Sequence, residues 1–449
     1  MTEREFAISV VQRLRDAGHQ ALWAGGCVRD ELLGRTPKDY DVATDARPDQ
    51  VRKLFKRNVA IGAQFGVIKV LSPRSEGNLE VEVATFRADV AYSDGRHPDS
   101  VRFSDAREDA VRRDFTINGM FFDPVANELI DYVGGRADLE ARVLRAIGDP
   151  FARFAEDKLR LLRAVRMATR FELAIDPRTL AAMKEMAPQI KVVSAERIAE
   201  ELRGLLPHPR RVRGIELMLE TGLIAALLPE LLDMKGLPQG PPAAPIADLW
   251  DHVMRVLERL DDDVSFPLAL AALLHDVGKP RTIGRTPEKY TFHDHENVGR
   301  DLADKIAERL RLSNYERDRI AWLVEKHIYL CGARQMRPAR LKTILAHDGI
   351  RELLALHRAD ARAWGNSLDH VEFCEAKLRE WTPADLNPPP ILSGYDLQRH
   401  GLKPSPIFKQ LLDAVREAQL DGTVTTKKEA LELVDRMLRE LDREEPAPN

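Results

Sequence analysis

Cysteine is scarce in this chain: three residues in 449, Cys27, Cys331 and Cys374, scattered and odd in number. That excludes a disulfide-stapled framework and fits a reducing compartment. No run of about 18 uncharged apolar residues occurs, so no membrane span is expected. The N-terminus, MTEREFAISVVQRLRDAG, lacks the apolar centre of a signal peptide, and the expected location is the cytoplasm. An overall basic excess is missing too: the net charge is −4, so the whole molecule is not a glove for nucleic acid. Long internal repeats and low-complexity tracts are absent. What remains is an ordinary globular composition, 44% hydrophobic and 31% charged, long enough for two to four domains.

The chemistry begins in residues 22–44, LWAGGCVRDELLGRTPKDYDVAT. An apolar run ends in Gly25-Gly26, a helix-like segment carries Arg29 and Asp30, and a turn leads into Asp39-Tyr40-Asp41. Carboxylates at i and i+2 of an extended segment share a face. A glycine pair before a helix start presents bare N–H groups to a phosphate. Together they offer a triphosphate cradle beside a two-carboxylate site whose hard oxygens suit Mg²⁺. Taken separately, the glycines are also compatible with a plain turn and the aspartates with a loop cap. The stretch as a whole resembles the signature of the class II tRNA nucleotidyltransferase and bacterial poly(A) polymerase superfamily, whose catalytic head resembles polymerase β.

Further along, residues 3–18 read as an amphipathic helix and 67–71 and 79–86 as strands. In the second strand, LEVEVATF, Glu80 and Glu82 share a face, and Glu82 is the candidate third carboxylate of the metal site; an ordinary solvent-facing strand edge is the alternative. Residues 87–104 form a Gly- and Pro-punctuated loop. RRDFTIN (112–118) matches the family's second motif, and DYVGGRADLEARVLRAIGDP (131–150) its connection from head to neck. Between Arg142 and Arg170 eight basic residues face three acidic ones, a net +5 that suits phosphates or, alternatively, a solvated helix face. In FAEDKLRLLRAVRMATRF a helix begins, with Leu159, Leu162 and Val165 on its core face. Asp157, Arg160 and Arg163 lie on another stripe, where acceptor and donor edges could select a nucleobase or merely pair with each other. Ser194 is the expected N-cap of the next helix, read as structural, and GLPQGPPAAP (236–245) the clearest boundary.

Beyond this break His252, then His275-Asp276 after an apolar helix, His293, His295, His327 and His357-x-x-Asp360 follow the layout of HD-domain metal phosphohydrolases. His252, His275, Asp276 and Asp360 are the candidate ligands of a divalent metal, with His295 and His327 for a second; satisfied core histidines are the alternative. Near the end, a turn with Lys403 and Lys409 resembles the family's RNA-contacting segment, with Ser405 in place of a glycine. The final REEPAPN reads as disordered.

The resemblance runs through nearly the whole chain and implies an α+β protein: a polymerase-β-like head, a small mixed sheet with helices (1–148), then an all-α neck (149–235), an HD domain (246–370) and a tail (371–449). It implies a template-independent tRNA nucleotidyltransferase that adds CCA from CTP and ATP. Asp39 and Asp41 would bind Mg²⁺, and Gly25, Gly26 and Arg29 would cradle phosphates. Arg113 and Asp114 would hold the sugar; Asp157 and Arg160 would choose the base, with Glu156 and Arg163 in support. tRNA would be gripped at its 3′ end and elbow, with no stable protein partner. Poly(A) addition, CC-only or A-only addition stay open. So does a different class of reading, an HD phosphohydrolase whose head is an RNA-binding platform. The segments 60–71 and 88–103 look more like CCA-adding enzymes than poly(A) polymerases.

Overall fold

Strand β1 (Ala21–Ala24), flanked by two other strands of a seven-stranded sheet, is buried at all four positions because helices Glu3–Asp16 and Gly26–Leu32 pack against it. In the computed structural model, residues 1–62, 66–90, 100–239, 248–286 and 289–444 are described. Parts of the 60–71 segment, the 87–104 loop, the 236–245 boundary and the terminal REEPAPN fall outside them.

Helix α1 (Glu3–Asp16) packs Phe6, Val10 and Leu14 beneath the sheet and starts with a Thr2–Glu5 capping box. It ends two residues before the expected position, just ahead of Gly18 at φ +86°. After β1 come α2 (Gly26–Leu32), β2 (Asp41–Thr44), α3 (Pro48–Leu54), β3 (Asn58–Gly62), β4 (Val67–Leu71) and β5 (Glu80–Thr85). The short strands β6 (Arg87–Val90) and β7 (Ser100–Phe103) pair with each other; α4 (Ala106–Val111), β8 (Met120–Asp123) and β9 (Glu128–Asp131) follow. The sheet order is β3-β4-β5-β2-β1-β8-β9. β2 runs parallel to β5 and antiparallel to β1, so the sheet is mixed. This one parallel pairing sets Asp41 beside Glu82 in register.

The chain then becomes helical: α5 (Gly135–Glu140), α6 (Pro150–Glu156), α7 (Leu159–Phe171), α8 (Pro177–Met186) and α9 (Ala195–Leu205). The spacing of residues 157–165 predicts a helix through Asp157, but α6 stops at Glu156 and α7 starts at Leu159. Asp157 is extended (φ −145°, ψ 106°) and its Oδ1 accepts the Leu159 N–H at 3.1 Å, so the carboxylate interrupts the helix and then caps its successor. Leu159, Leu162 and Val165 are buried as their spacing predicts. Ser194 occupies the N-cap position of α9 with its side chain making no cap bond.

Two compact units emerge, residues 1–232 with 309–311 and residues 233–308 with 312–449. In the second, helix Phe266–Leu274 is buried at all nine positions, which explains its lack of a polar face. Helices Leu249–Glu258, Asn314–Lys326 and Ile350–Trp364 pack against it. The C-terminal helices close over a small core of their own that includes Leu397, Leu411, Val415 and Val434. Among the described residues no helix is long and apolar enough to cross a membrane.

Candidate functional site

A cleft of about 510 Å³ in the first unit is lined by Gly25, Gly26, Arg29, Asp39, Asp41, Arg113, Asp114, Asp157, Arg160 and Arg163. The structure therefore gathers in one place residues spread over 138 positions of sequence. Nine basic and five acidic side chains face this space, an excess suited to a polyphosphate.

Tyr40 is buried against Trp23, with ring centroids 4.7 Å apart, while Asp39 and Asp41 on either side of it are exposed. Alternation thus sends both carboxylates to the same side, as the i, i+2 spacing predicts. Although its side chain reaches solvent, the loss of hydration around Asp41, with the charges of Asp39 and Glu82, pushes its carboxyl up to about 6; Arg113 opposes this. Clustered like charges of this kind fit a divalent cation. Glu82 reaches Asp41 across the β2–β5 pairing but does not itself line the cleft.

Gly25 has φ +72°, and a Cβ there would lie 2.9 Å from Nη1 of Arg113. Arg113 is held from below: Nε and Nη2 donate to Asp109 Oδ2 at 3.2 and 3.0 Å, and Nη1 to Asn118 O at 3.4 Å. Arg112 takes the other oxygen of Asp109, with Nη2 donating at 2.6 Å. Burial would raise the Asp109 carboxyl, but these two guanidinium groups hold it below its ordinary value. Asp114 behaves alike: burial is outweighed by Arg163 Nε at 2.6 Å from Oδ2 and by the Asn118 amide and Phe115 N–H on Oδ1.

Arg29 lines the cleft, yet its guanidinium already donates to Asp30 and to Asn118 Oδ1 (2.6 Å) and lies 4.1 Å over the Phe171 ring. The i,i+3 spacing of Asp157 and Arg160 also suits a mutual ion pair. The structure pairs each elsewhere: Arg160 Nη1 donates to Glu156 Oε2 at 2.6 Å, and Arg197 grips both oxygens of Asp157 at 3.2 and 2.7 Å. Asp109, Asn118 and Arg197 were not singled out from the sequence. Asp109 is four residues before Arg113, a helical spacing that could have flagged it. Arg197 is 40 residues from Asp157, and no local signal links them.

In the second unit the six histidine and aspartate positions converge as two groups: His252, His275 and Asp360, and Asp276, His295 and His327. Asp276 joins them. Its Oδ2 lies 3.2 Å from His275 Nε2, and its Oδ1 lies 3.4 Å from both His295 Nε2 and His327 Nε2 with no hydrogen bond of its own. Nδ1 of His275, His295 and His327 each meets a backbone carbonyl, of Ala272, Phe292 and Val324, at 2.6–2.8 Å. A carbonyl only accepts, so each Nδ1 is a donor and each ring turns its Nε2 toward the carboxylate. Ring nitrogens converging on a buried carboxylate fit a divalent metal, with the backbone fixing each ring from behind. Burial alone would lower the His275 imidazole, but Asp276 raises it; burial would raise Asp276, but His275 and Lys279 hold it well below the carboxylate range. His293 is exposed and joins neither group.

Comparison with known proteins supports both halves. Residues 21–145 match the poly A polymerase head domain, 172–235 the probable RNA and SrmB-binding site of polymerase A, and 249–363 the HD domain. The CCA-adding enzyme of Levilactobacillus brevis is 31% identical over 96% of both chains. Poly(A) polymerase I of Haemophilus influenzae is 36% identical over 50% of this chain and 51% of its own. The crystal structure of the Bacillus stearothermophilus CCA-adding enzyme in complex with CTP superposes with a TM-score of 0.73 at 25% identity, covering 99% of this chain and 100% of that one. The chain belongs to the class II CCA-adding enzyme and poly(A) polymerase superfamily.

Proposed function

We propose that this chain adds CCA to the 3′ end of tRNA in the cytoplasm, using CTP and ATP and releasing pyrophosphate. The observation that carries this reading is the single cleft in which the Asp39–Asp41 edge, the Gly25–Gly26 turn and the Asp157/Arg160/Arg163 face surround a space sized for one nucleotide. Likeness along 96% of a CCA-adding relative, against half of a poly(A) polymerase, favours CCA over poly(A) addition. Relatives have been seen with CTP, with ATP and with tRNA, which matches the substrates proposed.

In this reading residues 1–148 form the head, 149–235 the neck, 246–370 the HD domain and 371–449 the tail that holds tRNA. Asp39 and Asp41, with Glu82 behind them, hold Mg²⁺. When bound, that ion lowers the pKa of the attacking 3′-hydroxyl and neutralises the triphosphate. The bare backbone at Gly25 and Gly26 lets phosphate approach closely, with Arg29 supplying charge, while Arg113 serves the sugar side with Asp114. Asp114, fixed by Asn118 and Arg163, orients the sugar side. Asp157 and Arg160 offer an acceptor and a donor edge to the base, so CTP and ATP are read by protein in place of a template.

The test is incubation with tRNA transcripts ending before CCA, after C and after CC, with CTP and ATP supplied separately and products read at single-nucleotide resolution. Stepwise C, C and A additions support the proposal. A-tracts on any RNA, or addition of only one of the two nucleotides, would replace it with poly(A), A-only or CC-only activity.

The Asp276-bridged histidine groups favour a second reading, metal-dependent hydrolysis of a phosphoester by the HD half. A blank result with all tRNA transcripts, together with phosphodiesterase activity that chelation abolishes, would make this the main function and the head an RNA-binding platform.

A further inference from the structure

Among the described residues of the second unit there is a further convergence of ligand-type side chains. Cys331, His357 and His370 each bring one ligand atom within 4.8 Å of the others. They come from three segments: Cys331 from the 3-10 turn Tyr329–Gln335, His357 from the middle of helix Ile350–Trp364, and His370 from the first turn of helix Asp369–Glu380. Neither the nucleotide cleft nor the Asp276-bridged groups use any of the three.

We propose that Cys331, His357 and His370 form a metal site for a thiophilic divalent transition ion, zinc above all. Zn–S and Zn–N bonds of about 2.3 and 2.0–2.1 Å at tetrahedral angles place neighbouring ligand atoms roughly 3.3–3.6 Å apart. The observed spacing, within 4.8 Å, is at most roughly 1.2–1.5 Å wider, within reach of side-chain rotations. His357 is buried, and its Nε2 lies 3.2 Å from Lys326 O. Since a carbonyl only accepts, that nitrogen is the donor and Nδ1 keeps the lone pair; the ring is thus fixed in one tautomer by its backbone partner, as metal-ligating histidines usually are. The His357 and His370 rings meet edge to face with centroids 5.3 Å apart, so their planes converge without stacking. Cys331 is exposed, which leaves a path for an ion to enter and a fourth position for water.

The donor set separates this site from its neighbours. The Asp276-bridged groups offer only nitrogen and oxygen, whereas a thiolate with two imidazoles selects zinc over magnesium or manganese. Bound there, the ion would tie the 329–335 turn and the start of helix Asp369–Glu380 to helix Ile350–Trp364, one turn away from Asp360.

The full-length protein, stripped of metal and titrated with Co²⁺ as a spectroscopic probe, tests this independently of nucleotide addition. Wild type is expected to give a thiolate-to-cobalt charge-transfer band in the near ultraviolet, and Cys331→Ser to lose it while keeping the weaker visible bands of cobalt at the histidine and aspartate groups. His370→Ala is expected to weaken the ion that gives the band by at least roughly tenfold. Absence of the band in wild type at saturating Co²⁺ overturns the proposal. So does a band of undiminished strength in Cys331→Ser, because Cys27 or Cys374 would then be its source. Circular dichroism of the metal-free variants checks folding, and the exposed Cys331→Ser decides the matter if His370→Ala does not fold.

Discussion

Arg197 holds both carboxylate oxygens of Asp157, with Nη1 to Oδ1 at 3.2 Å and Nη2 to Oδ2 at 2.7 Å. This bidentate grip fixes the acceptor proposed to read the base, from a helix well downstream. Arg197→Ala should lower selectivity for CTP and ATP over UTP and GTP by about 10–100-fold, the equivalent of losing a charge-assisted pair of about 1.5–3 kcal/mol. Arg197→Lys should rescue little, because an ammonium group cannot reproduce the fork. Single-nucleotide incorporation with all four triphosphates measures this; an unchanged ratio in Arg197→Ala would remove Asp157 from base selection.

The two cleft glycines should respond differently to the same substitution. Gly25→Ala meets a φ of +72° and a Cβ 2.9 Å from Nη1 of Arg113, which Asp109 prevents from swinging freely. With ψ at −125° this backbone lies outside the left-handed helical well, and a residue with a Cβ adopts it at a cost of about 1–3 kcal/mol. Gly26→Ala meets only Arg29 Nη2 at 3.6 Å, an ordinary contact. Thermal melting and nucleotide affinity should both fall in Gly25→Ala and change little in Gly26→Ala; equal effects would show that the close approach of Arg113 has no part in it.

Asp39→Ala and Asp41→Ala should each cut kcat/KM for nucleotide addition by about 10³ or more, about 4 kcal/mol of transition-state stabilisation. Quench-flow or gel-based incorporation is the measurement. Full incorporation by either variant would refute the metal assignment.

Asp109 supplies a pH dependence whose sign follows from its lowered carboxyl. A folded-state pKa below the unfolded value of about 3.9 stabilises above that value, and the gain is lost as pH falls through the folded pKa. Asp109→Asn should therefore be less stable than wild type at pH 7 by about 2 kcal/mol or more, since two partly buried guanidinium groups lose their partner. The gap should shrink below about pH 4. Urea unfolding at both pH values checks it; a gap that stays constant would contradict the ion-pair account.

Asp276 faces both histidine groups through different oxygens. Asp276→Asn should accordingly lower metal occupancy at both groups, whereas His327→Ala should affect only the group with His295. Metal analysis by mass spectrometry with calorimetric titration distinguishes the two, and loss of a single ion in Asp276→Asn would show that the carboxylate does not bridge.

Much of the site could be read from the sequence because its signals are local. Tyr40 between two aspartates is a period-two pattern, and the structure buries the tyrosine and exposes the acids. The histidine positions were legible by residue type, and their partition into two groups was not, since which oxygen of Asp276 faces which ring depends on helix packing. The break at Asp157 was missed because its neighbours continue a helical spacing; the carboxylate competes with the helix by capping α7, helped by a partner 40 residues away.

By itself the sequence determined which residues carry chemistry and the order of the mixed sheet region, the helices and the histidine-rich half, because hydrophobic period and residue type act over a few positions. Only the tertiary structure decided which of those residues meet: the parallel β2–β5 pairing that puts Glu82 beside Asp41, the Arg197 grip on Asp157, and the meeting of Cys331 with His357 and His370. Those contacts join segments far apart in the chain, and their geometry follows from the burial of whole helices and strands, which no short stretch encodes.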